Sequence, residues 1–301
     1  MLSENFRFTS VSGSIDPLGP LALLPGVWRG AGVNQIWRPF NQPGQDRFLE
    51  LNETEEILAF EVIHGDIPNR GLLQPDINLR AVAYHQEIQD AHASGARGIH
   101  DERGYWLSVP ATVNPVNPAT VARLAAIPHG AVPLMQGVGF TFHGGPTIQA
   151  MDIDPFPAGQ PNNHKPFPEQ DLATETNFRT PANDIPNVTQ AIVDDPNSVL
   201  TTALSGQSIG LTTVLKISTV PANPPATGGG VENIAFLAGA AGGPNAQAVQ
   251  IDATFWIEQV LTPGSTLPVK LQLQYSQRVL LRFNGLDWPH VSCATLQKVT
   301  P

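Results

Sequence analysis

The chain has a single cysteine, Cys293, so it can form no internal disulfide and no thiolate metal site of the Cys-x-x-Cys type. The residue reads as a small buried apolar group near the C-terminus. Charge is also scarce. Only 14% of the 301 residues are Asp, Glu, Lys or Arg, with 26 acids against 16 bases and a formal charge of -10. No Lys/Arg cluster is dense enough to neutralise a run of phosphates, which argues against a nucleic-acid partner. Long apolar runs are missing too. The stretch from Pro17 to Leu24 is interrupted by Pro and Gly and has no basic flank, so it is read as neither a signal peptide nor a membrane span, and a cytoplasmic location is expected. No fixed-period repeat is apparent, which argues against propellers and solenoids.

What is abundant is turn chemistry. With 27 Gly, 29 Pro and 41% hydrophobic residues, the composition predicts short strands joined by many turns. Alternation predicts strands over 24–40, 77–88, 99–110, 138–142, 209–220, 231–237 and 249–261, with a looser one over 48–56 and a turn at Ser94-Gly95. The clearest run is Leu267 to Tyr275, where Leu267, Val269, Leu271, Leu273 and Tyr275 alternate with polar residues. Pro118 to Ile127 reads as a short helix, with Asn117 as its N-cap and Pro128 closing it, placed as a lid or plug at a barrel end. Residues 143–205 are rich in Pro, Asn and Asp without a sustained period and read as a long irregular insertion. The linkers 221–230 and 239–245 are too short to be domain boundaries. The expected fold is therefore mainly β: one domain over 1–301, closed as an antiparallel barrel of roughly ten strands, because closure removes the exposed edges that so many strands would leave.

Eight histidines are the obvious chemical candidates: His64, His85, His92, His100, His129, His143, His164 and His290. None stands in a His-x-x-x-His pair with Glu or at zinc spacing from Cys. No Gly-x-Ser-x-Gly turn is present for a hydrolase, and the Gly-rich segments 228–230 and 242–243 lack the strand-to-helix context and Lys of a phosphate cradle. The turn-dense segment His64 to Gly71 carries both a His and an Arg and reads as a solvated loop or a ligand contact at a barrel mouth.

Gly26-Val27-Trp28-Arg29-Gly30-Ala31-Gly32 is similar to the Gly-x-Trp-x-Gly-x-Gly opening of the nitrobindins, haem-binding barrels of the calycin type. His100-Asp101-Glu102-Arg103-Gly104-Tyr105 resembles that family's His-x-Glu-x-Gly-aromatic strand. The ending Trp288-Pro289-His290-Val291-Ser292-Cys293-Ala294-Thr295-Leu296 resembles the segment that carries its proximal haem ligand. The resemblance implies haem b as cofactor, His290 as the proximal iron ligand, and His100, Ile99 and Trp28 in or beside the haem site. It further implies that ferric haem reacts with nitric oxide, peroxynitrite or peroxide, as an isomerase or a peroxidase, with His100 in the distal pocket. Polar distal groups favour peroxide activation, and His100, Arg38 or Arg97 are the alternative sources of that polarity. The sequence departs from the family at Ile36-Trp37-Arg38-Pro39, where a Thr that shapes the haem site is missing, and in being nearly twice as long.

The residues also admit other readings. His290 is equally at home as a capping or surface residue after a turn at Asn284-Gly285, and His100 as a strand residue paired with Glu102 or Asp101 on the outer face. An apolar barrel also suits a carrier of a fatty acid or another hydrophobic molecule. In a third reading the insertion serves assembly around a filled barrel. Self-association is left open. Trp28 is structural in every case, with Arg282 or Lys298 as a cation on its face.

Overall fold

The computed structural model describes residues 16–92, 98–221, 225 and 227–299. The turn expected at Ser94-Gly95 and the candidate Arg97 lie outside these residues. Ten strands form the wall: β1 (Gly26–Gln42), β2 (Gln45–Asn69), β3 (Ile77–Asp90), β4 (Gly98–Val109), β5 (Thr120–Ala126), β6 (Ala131–His143), β7 (Ile209–Ser218), β8 (Gln247–Leu261), β9 (Pro268–Phe283) and β10 (Leu286–Val299). Each pairs antiparallel with the next, and β10 pairs back onto β1 from Val27↔Val299 to Ile36↔His290, so the barrel is closed.

Local chemistry explains the seam. A Cβ on Gly30 would lie 2.0 Å from the Thr295 carbonyl oxygen, and one on Gly32 would lie 2.1 Å from that of Cys293. Only glycine lets β1 approach β10 this closely. At the end of β9, Asn284 (φ 49°) and Gly285 (φ 76°) form a two-residue hairpin turn with both φ values positive, as a type I′ turn requires.

The segment expected as a helix over 118–127 is instead strand β5, paired with β4 and β6. Val121, Arg123 and Ala125 are buried at period two, and Asn117 pairs with Thr112 in a small hairpin instead of capping a helix. Two free ladder edges outweigh the modest helix propensity of its alanines. The expected strand over 231–237 is likewise shorter, Gly230–Asn233, followed by a helical turn at Ala235–Ala238.

Two cores result. Inside one end of the barrel, Trp28, Trp106, Phe255, Leu215 and Leu273 pack together. The other lies outside the wall. The long segment between β6 and β7, with helices α1 (Gln190–Asp194) and α2 (Ser198–Leu204), covers the outward residues Val33, Trp37, Leu49, Leu51, Trp256 and Cys293 with Ile153, Ile185, Val193 and Leu200. Its irregular backbone is tied down by side chains. Arg179 donates to the carbonyls of Glu169, Asp171 and Thr174 at 2.7–3.0 Å, and Trp37 Nε1 donates to the Ile153 carbonyl at 2.9 Å. Among the described residues, no helix is long and apolar enough to cross a membrane.

Candidate functional site

Above the packed end, the barrel encloses a cavity of about 430 Å³. Its size falls in the usual range for small-molecule sites. Ile36, Ile88, Ile99, Ile251, Val279 and Leu281 supply apolar walls, while Asn34, Gln86, His100, Tyr275, Gln277 and His290 supply polar atoms. A larger cleft of about 690 Å³ opens outside the wall between the β1–β2 turn and Asn284, but it is lined by no histidine and is open to water. The interior cavity is the candidate site.

His290 enters it from β10, opposite Ile36 of β1. The Asn34 amide nitrogen donates to His290 Nε2 at 2.9 Å and to Ser292 Oγ at 2.6 Å, which leaves the imidazole proton on Nδ1. Asn34 Oδ1 is buried without a partner. Burial, with His100 and His129 adding to it, pushes the His290 imidazole down to about 3, so the ring is neutral across the physiological range.

His100 projects inward from β4, and its Nε2 lies 3.1 Å from Glu102 Oε2. Glu102 and Arg123, each 1% exposed, form an ion pair within the barrel, and Tyr84 bonds to both. Arg123 also donates to Gln277 Oε1 at 2.8 Å and stacks over the rings of Tyr84, Phe255 and Trp106. Burial raises the Glu102 carboxyl, but the Arg123 charge and bonds from His100 and Tyr84 prevail and hold it at about 2. It is therefore a permanent anion that accepts from His100 Nε2–H inside the barrel, and among the described residues His100 Nδ1 makes no hydrogen bond. His129 stacks on His100 at 5.9 Å.

A second buried group adjoins this one. Tyr275 donates to Glu56 Oε2 at 2.7 Å, Thr54 to Oε1 at 2.9 Å, and Gln86 donates to Tyr275 at 3.1 Å. Burial outweighs these bonds and raises the Glu56 carboxyl, favouring its neutral form. Gln86 and Tyr275 from this group, and Gln277 bonded to Arg123, line the cavity and give it a polar floor above the apolar core.

Of the residues singled out from sequence, His290, His100, Ile99 and Arg38 line the cavity together. Trp28 does not. It is fully buried in the packed end, where its indole donates to the Leu24 carbonyl at 2.8 Å and Lys298 Nζ sits 5.2 Å over the ring. The alternative cation, Arg282, pairs with Asp287. The segment His64–Gly71 is at the far end of β2 from the cavity, with Arg70 paired to Asp76. Asn34, Gln86, Tyr275 and the Glu102–Arg123 pair were not anticipated as site residues.

No family model matches this chain, and no curated protein matches it. Among solved structures, one described as the crystal structure of Rv2717c from M. tuberculosis aligns with 95% of this chain and 100% of its own, at 14% identity and a TM-score of 0.40. A likeness this loose says nothing about activity. The site stands on its own geometry: a closed barrel with an internal cavity able to hold a small ligand.

Proposed function

We propose that the barrel binds haem b in this cavity, with His290 as the proximal iron ligand. The observation that carries the reading is a neutral imidazole set in the wall of a largely apolar cavity, since a neutral ring nitrogen is a good axial ligand and an apolar lining suits a macrocycle. The donor set fits the group on one condition: Nε2 must leave its contact with Asn34, whose amide keeps Ser292 as a partner. Arg38, at the rim and bonded to Glu50 at 2.7 Å, suits a carboxylate substituent.

When bound, haem supplies an iron centre for small ligands such as nitric oxide, peroxynitrite or peroxide. The chain's own contribution is positional. His100, held through Nε2 by Glu102, offers Nδ1 to a ligand as an acceptor, and the surrounding isoleucines limit water. The test is a visible absorption spectrum of protein supplied with haem, beside His290→Ala. A Soret band present in the wild type and lost in the variant is expected; equal bands in both, or none in either, refute the assignment.

Asn34 favours a second reading, because its amide already gives His290 Nε2 a hydrogen-bond partner. In that reading the cavity carries a small hydrophobic molecule. A fluorescent fatty-acid probe then binds equally to wild type and His290→Ala, and no Soret band forms.

A further inference from the structure

On the outside of the barrel, three metal-ligating side chains meet across β3 and β4. Inward positions of β3 are Val82, Tyr84 and Ile88, so His85 and Glu87, two residues apart, both point outward. Asp101 stands directly opposite Glu87 in the β3–β4 register. His85 Nε2 is 2.7 Å from Asp101 Oδ2 and 3.7 Å from Glu87 Oε1, and one ligand atom from each residue lies within 4.8 Å of the others.

Two features make this more than a charged surface. First, carboxylates directly opposite in a ladder repel. Among the described residues, His85 is the group that meets both carboxylates; beyond it, Asp101 has only Arg103, at 4.0 Å, and no Lys or Arg pairs with Glu87. Second, Glu87 and Asp101 border a cleft of about 340 Å³ that shares Ile99, His100 and His129 with the interior cavity, so an ion held there keeps open positions for water or a ligand.

We propose that His85, Glu87 and Asp101 bind one divalent transition-metal ion of the zinc class in an open three-ligand site. One imidazole nitrogen and two carboxylate oxygens are all donor types that zinc takes, and the hydrogen-bonded strand pair holds them near one another. The imidazole disfavours calcium and magnesium, hard ions whose ligands are oxygens. The other cluster of this kind, Asp152, Asp154 and His164, is less ready. Its His Nδ1 is 3.4 Å from each carboxylate, and Asp154 Oδ1 is already bonded by Gln170 at 2.6 Å. Zinc binding at this outer site does not depend on haem.

The test is calorimetric titration of Zn²⁺ into the untagged full chain without haem. One equivalent is expected in the wild type, in His164→Ala and in His290→Ala. His85→Ala and the isosteric Asp101→Asn are expected to weaken it by about tenfold or more. Both positions are on the surface, and a far-ultraviolet spectrum confirms that each variant is folded. Absence of a zinc equivalent in the wild type overturns the proposal, as does zinc binding that only His164→Ala or His290→Ala removes.

Discussion

Glu258 offers the sharpest quantitative check on how the long segment is seated. It points outward from β8 beside Trp256, is fully buried under the end of that segment, and has Gln272 Nε2 bonded to Oε2 at 2.8 Å while Oε1 has no partner. Gln207, from the segment itself, donates to Gln272 at 3.2 Å and closes the site. Burial, only partly offset by Gln272, pushes the carboxyl from its ordinary 4.5 up to about 7. A carboxyl raised in the folded state favours folding while it is protonated, so stability falls as pH rises from 4.5 and levels off above about 7. At ~1.36 kcal/mol for each pH unit, the loss is on the order of 3 kcal/mol. Glu258→Gln removes the titration and keeps an acceptor for Gln272. Urea denaturation at a series of pH values should therefore show the variant gaining about 3 kcal/mol on the wild type between pH 4.5 and 7, and nothing further above. The difference between the two proteins is the quantity to read, because His290, lowered to about 3, gives both proteins a slope of opposite sign below 6.5. A difference that stays constant with pH would show that Glu258 is solvated, and that the segment does not seal this face.

The ion pair inside the barrel makes a second prediction. Arg123→Met strands Glu102 in the interior and is expected to cost about 3–5 kcal/mol in urea denaturation, whereas Arg123→Met with Glu102→Leu costs less than the two single changes added. In the wild type, the Glu102 contribution is complete above pH 4.5 and is lost as pH falls toward 2, because its folded-state value lies below the ordinary one. At the seam, Gly30→Ala places a Cβ 2.0 Å from a backbone oxygen of β10, and a cost of roughly 1–3 kcal/mol or more is expected. Gly242→Ala, which meets nothing within 4 Å, serves as its near-neutral control in the same melts.

Most of the wall was readable because one face of each strand is apolar. Of the alternating run from Leu267 to Tyr275, Leu271, Leu273 and Tyr275 face the inside or pack against its core, whereas Leu267, just before β9, and Val269 are exposed. It was harder to see that β1 and β2 each carry apolar residues on both faces. Trp37, Leu49 and Leu51 are outward, yet buried, because a segment more than a hundred residues away in the sequence covers them. Nothing periodic marks that segment. It is held by carbonyl contacts from Arg179, by Asn187 bonded to Glu53 and by apolar residues placed without a repeat, and none of these leaves a local pattern.

The site was obscured for a related reason. His100 beside Glu102 was as compatible with a solvated pair on the outer face as with a pocket, because two residues of one strand share a face whichever way it points. What decides the direction is the charge that makes a buried Glu102 tolerable, and that charge is Arg123 on β5. Read as a helix, residues 118–127 put Arg123 on a lid with no register to β4. Read as a strand, the same residues alternate Val121, Arg123 and Ala125 inward and bring the guanidinium to the carboxylate that holds His100. The register of β5 and the inner ion pair therefore stand or fall together, and the polar floor of the cavity follows from the strand.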